Sequence, residues 1–108
     1  MNLGREEGSY LRILMPEEID HHQTMGIRQS ADKKILEEGV RDVVFDFRKT
    51  KLMDSAGIGL ILGRYRTISV FGGNVYVVNA NERICGILKA AGLDKMIKIL
   101  ATEKEEER

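Results

Sequence analysis

Apolar positions along the chain change character in a regular way, from short β-branched or aromatic runs to apolar residues at helical spacing, three times in succession. Tyr10-Leu11-Arg12-Ile13-Leu14-Met15 closes a β-rich segment over 9–15, and it stops at Pro16, the only proline, which cannot donate to a ladder. A strand with a sharp end is expected there. The short segment 2–5 is expected to pair beside it through a turn at Glu7-Gly8. Asp20 then opens a helix, because its carboxylate can accept from orphan amides and Gln23 follows three positions later, as in a capping box. Ile27, Ala31, Ile35 and Leu36 fall on one face, Lys33, Lys34, Glu37 and Glu38 lie mostly outside it, and Gly39 is placed to end the helix.

Val43-Val44-Phe45-Asp46-Phe47 is almost continuously apolar, the pattern of a strand covered on both faces, and is expected at the centre of a parallel sheet. A polar connection over 48–51 leads to a second helix over 56–71, which Gly72-Gly73 closes. Burying Ile58, Leu60, Ile61 and Leu62 contributes roughly 1.5 to 3 kcal/mol each. That exceeds the roughly 1 kcal/mol helix penalty of each of Gly57, Gly59 and Gly63. Close approach of another backbone is the expected reason for these glycines. Val75-Tyr76-Val77-Val78 reads as a third strand. Asn81 caps a third helix with Ile84, Ile87, Leu88 and Ala91 at helical spacing, Gly92 closes it, and 96–100 reads as a last strand. This alternation predicts an α/β sandwich with right-handed crossovers. The tail 103–108 has no apolar residue and is expected to be a solvated helix end or disordered.

Length and composition narrow the function classes. The 108 residues suit one domain over 1–108, and 43% apolar with 31% charged residues is ordinary for a globular protein. No apolar run approaches the roughly 18 residues of a spanning helix, and the start lacks the features of a secretion signal, so a cytoplasmic protein without a membrane partner is expected. Seventeen basic residues balance seventeen acidic ones and are interspersed with them, which disfavours nucleic acid as a partner. Cys85, the only cysteine, reads as a buried small hydrophobe.

Candidate chemistry concentrates in Met53-Asp54-Ser55-Ala56-Gly57-Ile58-Gly59-Leu60, where a hydroxyl stands beside a carboxylate as an apolar helix begins. Ser55 in that position can be a helix cap, a nucleophile or a phosphate acceptor. The strand-loop-helix context is loosely that of a nucleophile elbow, but Met53 occupies the place of the first glycine in Gly-x-Ser-x-Gly. His21 and His22 are adjacent and point about 100° apart on a helix, and no metal-ligand spacing accompanies them, so no metal site is expected. Gly63 comes one residue too late for a dinucleotide loop starting at Gly57, and no P-loop lysine follows.

The strings Glu18-Ile19-Asp20-His21-His22, residues 52–65 from Leu52 through Asp54-Ser55-Ala56-Gly57-Ile58-Gly59 to Tyr65, Gly72-Gly73 and Ala91-Gly92-Leu93 closely resemble the anti-sigma factor antagonists. These are STAS-domain proteins, here of the stage II sporulation protein AA type. The resemblance covers most of the chain. It implies a small mixed β-sheet with helices packed on it. Ser55 then matches the serine phosphorylated by a partner anti-sigma factor that is itself a kinase using ATP and magnesium. Asp20, with His21 beside it, and Asp54, Ser55, Ala56, Gly57, Ile58 and Gly59 match the surface that partner binds. By the same resemblance the chain needs no cofactor of its own, a serine phosphatase resets it, and it is a monomer when free. The unphosphorylated form would bind the anti-sigma factor and release the sigma factor. Glu17 stands where the family usually has glycine, and the usual C-terminal helix is shortened here to the charged tail. The rival of a different class is a small α/β hydrolase or nucleotide-binding enzyme using Ser55, Asp54 and His21, and a binding-class alternative is a STAS module of a stress-signalling assembly or a nucleotide sensor.

Overall fold

Residues 10–100 are described by a computed structural model of the chain. Strand β1 (Tyr10–Leu14), the two-residue β2 (Glu18–Ile19), helix α1 (His21–Glu38), β3 (Asp42–Asp46), the two-residue β4 (Leu52–Met53), helix α2 (Ser55–Val70), β5 (Val75–Val78), helix α3 (Glu82–Ala90), a 3-10 turn (Leu93–Lys95) and β6 (Lys98–Ile99) follow in chain order. The main sheet runs β1-β3-β5-β6, and β2 and β4 form a second, two-stranded sheet. Every pairing among the described residues is parallel, with Leu11 opposite Val43, Phe45 opposite Val77 and Tyr76 opposite Lys98. The expected extra strand over 2–5 and the charged tail 103–108 lie outside the described residues.

The helix ends follow their local chemistry. Asp20 caps α1 by accepting from the Gln23 N–H at 2.9 Å, and Gly39 closes the helix in the left-handed conformation at φ 71°. Asn81 caps α3 by accepting from the Ile84 N–H at 2.8 Å. The last helical residue there is Ala90, and Gly92, at φ 81°, opens the 3-10 turn instead of closing the helix directly. That turn takes up part of the span expected for the last strand, leaving Lys98–Ile99 paired.

One face of the main sheet carries the core. Val43, Phe45, Val75 and Val77 are buried together with Ile35 of α1, Leu60, Ile61 and Ile68 of α2, and Ile84 and Leu88 of α3. The opposite face is less covered than the apolar run over 43–47 suggested. Val44 is only half-buried, and Tyr10 and Leu14 of the adjoining strand are 44% and 53% exposed. Leu36, expected on the buried face of α1, is 64% exposed, while Ala31 and Ile35 of the same expected face are buried. Cys85 is half-buried, and its thiol donates to the Ala80 carbonyl at 3.6 Å.

Asp46, at the end of β3, is a buried carboxylate on the face opposite Val43 and Phe45. Asp46 is 1% exposed and accepts from Arg12 Nη2 at 3.0 Å, Arg48 Nε at 2.9 Å, the Arg48 N–H at 3.0 Å and Asn79 Nδ2 at 2.9 Å. Burial is the largest influence and pushes its carboxyl up, but the donors from Arg48, Asn79 and Arg12 together outweigh it and hold the group well below the usual carboxylate range. Asn79 reaches this position with a positive φ of 61°, which asparagine tolerates better than most residues. Because the folded-state value is depressed, the stabilisation is complete above the unfolded value near pH 4 and is lost as pH falls through and below it. Asp46→Asn is therefore expected to lose about 2 to 4 kcal/mol at pH 7, and the gap to the parent should narrow between about pH 5 and pH 3. Urea midpoints at pH 7, 5 and 3 measure this. A gap that does not change with pH would remove the carboxylate from the account.

Candidate phosphorylation site and partner-binding surface

Parallel strands deliver their following loops to one end of a sheet, and here that end is tied together by backbone. The Asp54 N–H donates to the Ile19 carbonyl at 3.0 Å, and the Lys51 and Leu52 N–H groups donate to the Glu17 carbonyl at 2.8 and 3.3 Å. Glu18 pairs with Leu52 and Ile19 with Met53, so the residues that leave the two short strands, Asp20 and Asp54, emerge side by side. Thr50 reinforces the junction. It is 4% exposed, donates through Oγ1 to the Pro16 carbonyl at 2.7 Å, and its own carbonyl accepts from Asn81 Nδ2 at 3.3 Å. Sequence reasoning passed over Thr50 as part of a polar connection. A threonine before an apolar pair was the available signal, but nothing local indicated its distant acceptor.

Each of the two aspartates caps a helix. Asp54 is extended at φ −100° and ψ −172°, and its Oδ1 accepts from the Ala56 N–H at 2.8 Å. The cap of α2 is thus Asp54, and Ser55 is the first helical residue. Ser55 is exposed, and its hydroxyl has no hydrogen-bond partner among the described residues. Of the three roles open to this serine, that of a cap is removed because its neighbour performs it. No hydrogen bond joins Ser55 to His21 or His22 among the described residues, so the pairing that would activate a serine nucleophile is not formed here. Both histidines are exposed in the first turn of α1. Among the described residues no group of three His, Cys, Asp or Glu side chains stands close enough to hold a metal ion.

The glycines of α2 have different reasons for being there, and backbone approach is not among them. Gly57 is buried, and a Cβ on it would run into the Met53 side chain and touch Ile19. It lets α2 settle onto the β2–β4 pair and so sits beneath the surface. A Cβ on Gly59 or Gly63 would meet nothing within 4 Å. Those two line a groove of about 250 Å³ between α1 and α2, whose walls include His21, Arg28, Ala56 and Arg64. Arg64 is 6% exposed and ties the helices together, with Nε 3.0 Å from Asp32 Oδ1 at an angle too poor for a hydrogen bond, and Nη1 donating to the Leu60 carbonyl at 3.5 Å. Burial lowers the pKa of this guanidinium, Asp32 opposes that shift and Arg28 adds to it.

Of the residues expected at the partner surface, Asp20, His21, Asp54, Ser55 and Gly59 are exposed, Ala56 and Ile58 are half-buried, and Gly57 is buried. Asp20 and Asp54 share a cleft of about 380 Å³ with Glu18, Leu52, Arg83 and Ile87. Arg83 and Ile87 both come from α3: Arg83 carries no local motif, and Ile87 reads in the sequence as one of the helix's apolar core positions, so neither was selected for a surface. Among the described residues no helix is long and apolar enough to cross a membrane.

Residues 5–106 match the family model of the STAS domain. The anti-sigma F factor antagonist of Paenibacillus polymyxa is 32% identical over 93 residues, which span 86% of this chain and 80% of that protein. Among solved structures, the anti-sigma factor antagonist SpoIIAA in its unphosphorylated form aligns with a TM-score of 0.82 at 26% identity, covering 93% of this chain and 85% of that one. The Bacillus cell fate determinant SpoIIAA in the phosphorylated form aligns with a TM-score of 0.75 at 26% identity, covering 93% and 88%.

Proposed function

Since this chain belongs to the STAS-domain family, we propose that it is an anti-sigma factor antagonist controlled by phosphorylation of Ser55. The observation that carries the reading is an exposed serine at the first position of α2, unengaged because Asp54 already caps the helix. Relatedness to SpoIIAA, for which unphosphorylated and phosphorylated forms are both known, supports it. In the unphosphorylated form the face around Asp20, Asp54 and Ser55 binds an anti-sigma factor, and the sigma factor is released to RNA polymerase in the cytoplasm. The anti-sigma factor is also the kinase, supplying ATP and magnesium, and a serine phosphatase reverses the modification. The chain itself performs no catalysis.

Electrostatics make this a switch that leaves the fold intact. A phosphate on Ser55 adds about −1.5 to −2 charges within the first turn of α2, where the helix dipole favours negative charge. The Ala56 amide is already held by Asp54, so the phosphate gains less from the helix start than it would at an uncapped one. On the outward side it crowds the carboxylates of Asp54 and Asp20. A partner that accepted those two groups meets new bulk and unpaired charge, and like-charge or unpaired contacts at an interface cost several kcal/mol.

Incubation of the purified chain with ATP, magnesium and the cognate anti-sigma factor, followed by mass spectrometry, tests the reading. One phosphate on Ser55, dependent on the partner, is the expected result. Label without the partner, or on another residue, contradicts it. Asp20→Ala should weaken partner binding about tenfold while costing the fold only the roughly 1 kcal/mol of a lost cap. Equal affinity of the variant and the parent in calorimetric titration would take Asp20 out of the interface.

A further inference from the structure

The groove between α1 and α2 has features that neither helix requires. Gly59 and Gly63 stand on its wall, although a Cβ on either would meet nothing within 4 Å. Alanine at both positions would fit the fold and suit a helix better, so what the glycines secure is the open space. Arg64 lines the same space at 6% exposure. Its Nε lies 3.0 Å from Asp32 Oδ1, yet neither atom has a hydrogen bond, and of its other donors only Nη1 is used, in a 3.5 Å bond to the Leu60 carbonyl. A buried guanidinium with donors left over is a costly arrangement unless something accepts from it. Arg28 of α1 brings a second cation to the groove. It is exposed, has no hydrogen bond or ion pair among the described residues, and lies close enough for its charge to lower the Arg64 pKa. Asp32 balances one of the two guanidinium groups and is not on the groove wall, which leaves one positive charge facing the opening. Met25, 44% exposed, and Leu60 give the groove an apolar side.

We propose that this groove is a ligand site for a small organic monocarboxylate: its carboxylate is held between Arg28 and Arg64, and its apolar body lies over Gly59 and Gly63 against Met25 and Leu60. One uncompensated positive charge matches one negative charge, and a planar carboxylate suits the guanidinium fork. At about 250 Å³ the space falls below the roughly 300 to 1,000 Å³ of most ligand pockets, which restricts the occupant to a compact molecule. Ser55 is not on the groove wall, so the site does not rest on the phosphorylation reading.

Titration of benzoate into the isotope-labelled parent chain, followed through its amide NMR signals, tests this. Benzamide is the uncharged probe of the same shape, and sodium chloride at matched ionic strength is the control. Benzoate is expected to bind saturably, with an affinity on the order of millimolar, and to shift the signals of Arg28, Gly59 and Gly63. Benzamide should bind at least about tenfold more weakly, since it brings no charge to the two guanidinium groups. Arg28→Gln, a change at an exposed side chain, should keep the parent's unfolding midpoint and weaken benzoate about tenfold. The double variant Gly59→Ala, Gly63→Ala should unfold a few degrees above the parent, because alanine favours the helix, and yet weaken benzoate about tenfold by filling the groove. A more stable fold with a weaker ligand is a combination that a merely structural role for the glycines does not produce. Shifts confined to other residues, benzamide binding as well as benzoate, or a variant of either kind binding benzoate as tightly as the parent would overturn the site.

Discussion

Ser55→Glu is expected to bind the cognate anti-sigma factor at least about a hundredfold more weakly than the parent, with an unfolding midpoint within a few degrees of it. The binding loss corresponds to about 2.7 kcal/mol, within what one desolvated, unmatched charge costs at an interface. Stability should hold because Ser55 is exposed, its hydroxyl is engaged by no described residue, and a carboxylate in the first turn of a helix is favourable by a few tenths of a kcal/mol to about 1. Ser55→Ala separates charge from side-chain loss: it should bind like the parent and accept no phosphate. Equal affinities for the Glu and Ala variants in calorimetric titration would exclude release by charge.

Gly73→Ala is expected to be the most destabilising of these substitutions, by about 3 kcal/mol or more. A Cβ at this position would land on the carbonyl of Arg41 and against Ile68, and a backbone carbonyl cannot swing aside as a side chain can. The contact is close because the α2–β5 connection docks on the start of β3, with the Val43 N–H donating to the Asn74 carbonyl at 3.0 Å and the Asn74 N–H to Asp42 Oδ1 at 2.8 Å. Gly72→Ala is the control. Its φ of 79° costs an L-residue about 1 kcal/mol, and its Cβ would meet only the end of the Arg41 side chain at 3.6 Å. Urea unfolding of both variants decides the matter, and a Gly73→Ala midpoint no lower than that of Gly72→Ala would refute the collision.

That pair of glycines marks the boundary between local and distant information. In the chain they are one helix-ending signal, and α2 does end at Val70 just before them. Which of the two needs a positive φ and which needs the absence of a side chain depends on a strand about thirty residues earlier. Gly57, Gly59 and Gly63 show the same limit. Their presence in a strongly apolar helix called for an explanation, but the one expected was close backbone approach. Met53 and Ile19 account for Gly57, while Gly59 and Gly63 border an open groove.

Elements whose causes lie within a few residues were legible from the chain. Asp20 with Gln23, Gly39, Asn81 and the apolar runs at 10–15, 43–47 and 75–78 each act through the next turn or the next ladder bond, so α1, α2, α3 and the β1, β3 and β5 segments of the sheet were readable to within a residue or two. The two-residue strands β2 and β4 were not, because a strand that short has no periodicity and exists only through its pairing with the other. With that pairing came the outcome that matters for function: Asp20 and Asp54, more than thirty residues apart in the chain, leave adjacent strands and present their carboxylates at one cleft.

By itself the sequence determined the order of elements, the caps at Asp20 and Asn81, and the position of Ser55 at a helix start, since these depend on local hydrogen bonding and on the spacing of apolar side chains. Tertiary structure alone decided that Asp54 and not Ser55 caps α2, that Gly57 lies beneath the surface, and that Leu52, Arg83 and Ile87 share a cleft with the two aspartates. The physical reason is that the residue entering α2 is set by where β4, through its pairing with β2, ends at Met53, and a surface by which segments the sheet has already brought together.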